Sequence, residues 1–144
     1  MRAWRISPHA DLSGRGGELA AARWNHRGDA IVYTSEHPAL AMLEILVNLD
    51  PGELPETYQL IEIEIPDGMQ HGFSPPEGWR ENQSITRDAW RNFCRDGMGP
   101  VLQVPNIIMP RCHNLLINPA HPDAKAIRIV SAEKHPFDQR FLAG

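Results

Sequence analysis

Lysine and cysteine are the scarce residues of this chain, and each scarcity excludes something. Lys125 and Lys134 are the only lysines, so the rest of the 14 basic residues are arginine. Those 14 bases stand against 18 acids, for a formal charge of −4. The clustered basic face that charge-driven binding of nucleic acid requires is therefore missing. Two cysteines, Cys94 and Cys112, are too few for a disulfide framework and are expected as free thiols. No apolar run reaches the roughly 18 residues that span a bilayer. The opening MRAWRIS has no apolar signal region, so a cytoplasmic location is expected. Internal repeats and low-complexity segments are absent as well.

What is present is an ordinary globular composition. Apolar residues make up 42% and charged residues 22% of 144 positions, enough for one continuous core and one domain spanning 1–144. Thirteen prolines make the chain rich in loops. The dominance of arginine is itself a pointer, because its planar fork matches phosphate and carboxylate groups.

Read in order, residues 3–7 (AWRIS) form a short opening strand. Ser13 to Gly17 reads as a flexible glycine-rich loop, with neither Walker nor Rossmann spacing. Ala30 to Tyr33 is a β-branched strand. Ser35 is expected to cap a helix with Pro38 in its first turn, running to about Leu49 and stopped by Pro51-Gly52. That helix is so apolar that it should be mostly buried, apart from a stripe holding His37, Ala41, Glu44 and Asn48. Ile61, Ile63 and Ile65 alternate with Glu62 and Glu64, the pattern of a strand with one wet face. Met69 to Ser84 reads as an ordered connection containing Trp79. Thr86 is expected to cap a helix carrying Ala89, Trp90, Phe93 and Cys94 and ending near Asp96-Gly97. Strands follow at Val101–Val104, Leu115–Ile117 and Ile127–Val130. The order indicates an α+β fold with curved antiparallel sheets and flanking helices.

Three residues of the Ala21–Asn48 stretch invite chemistry. A carboxylate in an apolar helix costs several kcal/mol unless it is paired or solvated, so Glu44 either faces water or lines a cleft. In a cleft it would hold a ribose hydroxyl and stabilise positive charge developing on a sugar carbon. Arg23 is either a surface ion-pair partner or a clamp for a pyrophosphate. Tyr33 is either a core-edge aromatic or a stacking platform for a base. Asn118 and His121 form turns or brace the wall of a site. Cys112, His113 and His121 match no zinc spacing, so no metal is expected. No nucleophile elbow and no Ser/His/Asp spacing is recognisable.

The segments ARWNHRGDAIVYTSEHPALAMLEILVNL, VPNIIMP, NLLINPAHPD and PFDQRF closely resemble the RES-domain toxins, over nearly the whole chain. These are the toxic partners of Xre-type helix-turn-helix antitoxins, named for a polar Arg–Glu–Ser set. The resemblance implies an ADP-ribosyltransferase-like fold, a split mixed β core around an NAD cleft with flanking helices. It implies cleavage of the nicotinamide–ribose bond of NAD, by water or phosphate, or transfer of ADP-ribose to a protein. Carried over, the family arginine, tyrosine and glutamate fall on Arg23, Tyr33 and Glu44. The resemblance also implies that Trp24, Asn25, Ser35 and Asn106 help to hold NAD. The family serine is expected within 104–108, where this chain has Asn106. A homodimer and an antitoxin partner are implied too, with DNA binding left to the antitoxin. Against these stand a non-enzymatic toxin that acts by docking, and more weakly a ribonuclease, for which no His/Lys pair is evident.

Overall fold

The computed structural model describes residues 1–50, 55–134 and 136–141. Seven strands form one sheet: β1 (Arg2–Ser7), β2 (Val32–Ser35), β3 (Gln59–Glu64), β4 (Gln70–Gly72), β5 (Val101–Pro105), β6 (His113–Ile117) and β7 (Arg128–Lys134). Their spatial order is β4-β5-β6-β2-β1-β3-β7, with β4 and β5 parallel and every other neighbouring pair antiparallel. Three α-helices accompany the sheet: α1 (Arg15–Leu19), α2 (Pro38–Leu46) and α3 (Gln83–Asp96). The α+β expectation holds.

The sheet is split at its centre. β1 pairs with β3 over six residues and β2 pairs with β6 over four, yet β1 and β2 meet only at Trp4↔Ser35. Beyond that point the two strands splay apart. Strand edges left unpaired must find other partners, and here the split opens into a cleft.

Period-two alternation distributes the core over the two faces of the sheet. In β6, Leu115 and Ile117 join Ala3, Val32, Ile61, Ile63 and Val101 in one buried cluster. Leu116 faces the other way, with Leu102, Val104 and the α3 residues Trp90 and Phe93. Trp90 is fully buried and stacks on Phe93 at 5.7 Å between centroids. Its indole Nε1 donates to the carbonyl of Ala30. Arg91, one residue on, forms a two-pronged pair with Asp29, fixing α3 against the turn that leads into β2.

Several local expectations are corrected. Ser13 to Gly17 is not simply a loop: Arg15–Leu19 is a short helix. Gly14, at φ +71°, turns the chain into it, and Gly17 packs so tightly that a Cβ would strike the Asp29 carbonyl and the Ile31 side chain. Ser35 does not cap α2. It is a buried strand residue, and His37 caps instead, its Nδ1 accepting from the Ala39 amide at 3.2 Å. Likewise Asn82, not Thr86, caps α3, and Thr86 is buried inside the helix. The strand expected at Ala30–Tyr33 is displaced to Val32–Ser35, and the last strand runs to Lys134. The connection from Met69 contains β4, which β5 recruits as an edge.

Helix α2 ends at Leu46, and only Leu40 and Ala41 within it are buried. It packs on β1 beside Ile6 and Trp4, with Met42 and Ile45 in the same cluster, while most of its other residues are half-buried and Val47, just past its end, is 61% exposed. The expected stop at Pro51-Gly52 lies outside the described residues. No helix among the described residues is long and apolar enough to cross a membrane.

Candidate active site

The split between β1 and β2 holds a cleft of ≈ 690 Å³, within the size range of small-molecule sites. Trp4, Arg5 and Ile6 line it from β1, and Tyr33, Thr34 and Ser35 from β2. Glu44 and Ile45 close it from α2, and Arg23 and Arg87 from the side of α3. Arg23, Tyr33, Glu44 and Ser35, selected from sequence, are thus brought together. Glu44 lines the cleft rather than turning to bulk water.

Glu44 is held by two amides. Asn106 Nδ2 donates to Glu44 Oε1 at 3.0 Å, and Asn114 Nδ2 donates to the same oxygen at 3.1 Å. No hydrogen bond engages Oε2 among the described residues. The amides are themselves fixed. Asn106 Nδ2 also donates to Asn114 Oδ1 at 2.9 Å, and Asn106 Oδ1 accepts from the backbone amides of Ile108 and Met109. Both donors and the acceptor oxygen of this side-chain amide are used, and the residue is 1% exposed. A serine hydroxyl has a single donor and could not donate to Glu44 and Asn114 together, as the amide of Asn106 does at the position where the resemblance leads to serine. Ser35 stands one step further back, its hydroxyl donating to Asn114 Oδ1 at 3.2 Å.

Tyr33 presents its ring to the cleft and commits its hydroxyl elsewhere. The hydroxyl donates to Asn25 Oδ1 at 2.7 Å and accepts from the Trp24 amide at 3.0 Å. Burial pushes the phenol above the ordinary tyrosine range. Asn25 is fully buried, and its Nδ2 donates to the carbonyls of Gly17, Ala20 and His26. Trp24 is 2% exposed and packs edge-on to Phe73 and obliquely on Trp79. The structure therefore sets Asn25 behind Tyr33, and Trp24 in the wall, as supports for the arginine loop.

Arg23 emerges from that loop, held from behind by α3. Thr86 Oγ1 donates to the Arg23 carbonyl, and Arg87 Nε donates to the Ala22 carbonyl at 2.7 Å. The Arg23 guanidinium touches the Arg80 carbonyl at 3.3 Å. Desolvation holds it below the usual arginine range, with Glu44 acting against that shift and Arg80 adding to it. None of Arg5, Arg23 and Arg87 forms an ion pair with a carboxylate among the described residues. Three guanidinium groups and one carboxylate thus line the cleft. Such a lining suits an anionic ligand.

Sequence reasoning missed Asn114, Arg5 and Arg87. Asn114 had a signal, a buried polar residue leading the apolar run Leu115–Ile117. Arg5 had a weaker one, a charge flanked by Trp4 and Ile6. Arg87 had none. Asn118 and His121 prove to be turn-formers: Asn118 Oδ1 accepts from Ala120, and His121 Nδ1 from Asp123.

Residues 2–139 match the model of the RES domain. Toxin Res of Pseudomonas putida is 39% identical over 145 residues, covering 98% of this chain and 100% of that protein. The chain belongs to the RES-domain toxin family. A second relative, the Prs ADP-ribosylating toxin of Sphingobium sp., is 37% identical over 153 residues, covering 96% of this chain and 95% of that protein. The toxin of the M. tuberculosis MbcT–MbcA toxin–antitoxin complex superposes with a TM-score of 0.74 over 99% of this chain and 89% of that one. Identity there is 15%, so the likeness speaks for the fold alone.

Proposed function

We propose that this RES toxin is an enzyme that cleaves the nicotinamide–ribose bond of NAD. The observation that carries the reading is Glu44. It is the one carboxylate among the described residues lining the cleft, locked through Oε1 by two asparagine amides and opposite three guanidinium groups.

In this reading the pyrophosphate of NAD lies against Arg23, assisted by Arg87, where fork-shaped donors match phosphate oxygens. The nicotinamide packs on the ring of Tyr33, which is rigid because its hydroxyl is tied down. Glu44 Oε2 accepts a hydrogen bond from a ribose hydroxyl. As the C1′–N bond breaks, nicotinamide leaves with the bonding electron pair as a neutral molecule. Positive charge then develops on the sugar carbon, and the carboxylate stabilises it without reorganising, because Oε1 is already held. Asn106 and Asn114 act through Glu44 as positioning residues. Ser35, Trp24 and Asn25 support the walls.

The ADP-ribose passes to water or to phosphate, which makes the protein an NAD glycohydrolase or phosphorylase. Transfer to a protein target is the second reading, favoured by the relative whose name records ADP-ribosylation of Prs. As a toxin of this family, the protein would act in the cytoplasm as a homodimer and be neutralised by an Xre-type antitoxin that supplies the DNA binding. Its own charge of −4 supports that division of labour. No group of three metal-ligating side chains is assembled among the described residues, and the proposed chemistry uses none.

Product analysis tests the reading. Purified protein incubated with NAD should release nicotinamide. ADP-ribose, its phosphorylated form, or a modified protein would then name the acceptor. No nicotinamide under any of these conditions would overturn the proposal and favour a toxin that acts by docking.

A further inference from the structure

Glu36 and His113 meet where strand β2 ends, and the NAD reading makes no use of either. β2 pairs with β6 up to Ser35↔Asn114, which sets Glu36 opposite His113. Two residues facing each other in a hydrogen-bonded antiparallel pair normally exchange both bonds through the main chain. Here only one runs that way, from the Glu36 amide to the His113 carbonyl at 3.3 Å. The return bond runs from the His113 amide to the Glu36 side chain, with Oε1 accepting at 2.9 Å. The carboxylate thus stands in for a main-chain carbonyl. That substitution lets the chain leave the sheet at Glu36 without orphaning the His113 amide, and His37 and Pro38 open α2 directly afterwards.

The grip falls at the joint on which the Glu44 network depends. His113 precedes Asn114, which donates to Glu44 Oε1. Cys112, on its other side, offers its carbonyl to the Asn106 amide at 2.8 Å, and Asn106 is the second donor to the same oxygen. Glu44 itself comes from the helix that Glu36 launches. Glu36 stands outside the lining of the cleft, so it reaches the chemistry only through these neighbours. The charge of the pair matters less than the bond to the main chain. His113 Nδ1 lies 3.7 Å from Glu36 Oε2, and side-chain exposures of 40% and 37% leave that contact to solvent screening.

We propose that Glu36 is a positioning residue for Glu44: by replacing a main-chain carbonyl at the end of β2, it sets where α2 leaves the sheet and where Glu44 meets Asn106 and Asn114. The effect on turnover rests on the NAD reading, while the hold itself is measured without NAD.

The test compares Glu36→Ala, Glu36→Gln and His113→Ala proteins in two measurements. The first uses nuclear magnetic resonance without NAD, following the side-chain amides of Asn106 and Asn114 and hydrogen exchange at the His113 amide. Glu36→Ala should shift both side-chain amides and speed exchange at His113 about tenfold or more. Glu36→Gln keeps an oxygen acceptor and His113→Ala keeps the main-chain amide, so both should leave the two asparagine amides near their wild-type positions. The second measurement is the kinetics of nicotinamide release. Glu36→Ala should lower kcat about tenfold with KM changed by no more than a few-fold, since misplacing a group that serves the transition state costs turnover. Glu36→Gln should restore kcat to within about threefold of wild type, because the acceptor is kept. In a Glu44→Gln background, Glu36→Ala should add no further loss, as expected of a residue that acts through Glu44.

Glu36→Gln as damaging as Glu36→Ala would overturn the proposal and give the role to charge. Asparagine amides unmoved in Glu36→Ala, or a further loss in the Glu44→Gln background, would overturn it as well. Amides that move in a protein that leaves NAD intact would sustain the hold and sink the NAD reading alone. Should Glu36→Ala fail to fold, Glu36→Met, which fills similar volume without an acceptor, decides by the same criteria.

Discussion

At the scale of single residues, the proposed mechanism has the two oxygens of Glu44 divide their labour, Oε1 held by two amides and Oε2 left for the sugar, and Asn114 is the test of that division. Asn114→Ala removes a donor to Oε1 and the acceptor that orients Asn106. The expected result is a fall in kcat of roughly ten- to a hundredfold with KM changed by no more than a few-fold, because the lost interaction serves the transition state. Asn114→Asp, equal in size but without the amide donor, should be at least as damaging. Activity retained in the aspartate variant would reduce Asn114 to a packing role. Tyr33 makes a prediction in pH. Its folded-state pKa is raised by burial, so its contribution to stability is whole below the ordinary value of 10.0 and is lost as pH rises from there toward the folded value. Denaturation midpoints should therefore drop above about pH 10. Tyr33→Phe should flatten that alkaline slope while losing the tie to Asn25. An unaltered slope in the variant would show that other groups cause it.

At the scale of elements, backbone packing and capping govern what the side chains can reach. α1 rests against the turn before β2 through Gly17, where a Cβ would meet the Asp29 carbonyl and the Ile31 side chain. Gly17→Ala should destabilise the protein by about 1–3 kcal/mol, the usual cost of overpacking, read as a lower urea midpoint at unchanged slope. A neutral effect would mean that α1 shifts freely. The same scale explains what was legible in the sequence. Strands with strict alternation, such as Gln59–Glu64, and helices with strong periodicity, such as α3, were found close to their places. The caps at Ser35 and Thr86 were misplaced because hydroxyl residues are equally good at bonding across a sheet or to a distant carbonyl, and here tertiary contacts claim both. α2 was read as buried because composition is blind to a cleft: apolar residues that border a binding site look like core residues. Glu44 posed the same ambiguity. Periodicity left it between water and cleft, and only the resemblance to RES toxins tilted the choice. The asparagine pair behind it lies 62 and 70 residues away in sequence and carries no local pattern that would link it to a glutamate.

At the scale of the whole molecule, the split sheet creates a positive cleft in a protein of formal charge −4. The two fields oppose each other, so binding of an anionic dinucleotide should depend on local arginines and weaken with salt. Raising ionic strength from about 0.1 to 1 M shortens the screening length from roughly 10 to 3 Å, and KM for NAD should rise while kcat changes little. A KM indifferent to salt would argue that the arginines face something other than phosphate.

The account turns on one carboxylate, and the most direct measurement is the rate of nicotinamide release from NAD by purified wild-type and Glu44→Gln proteins, with circular dichroism and thermal melting matched between them. The account predicts NAD cleavage by the wild type and a loss of about a hundredfold or more in the variant, with NAD still bound. Equal rates in the two folded proteins, or an inert wild type, would contradict it.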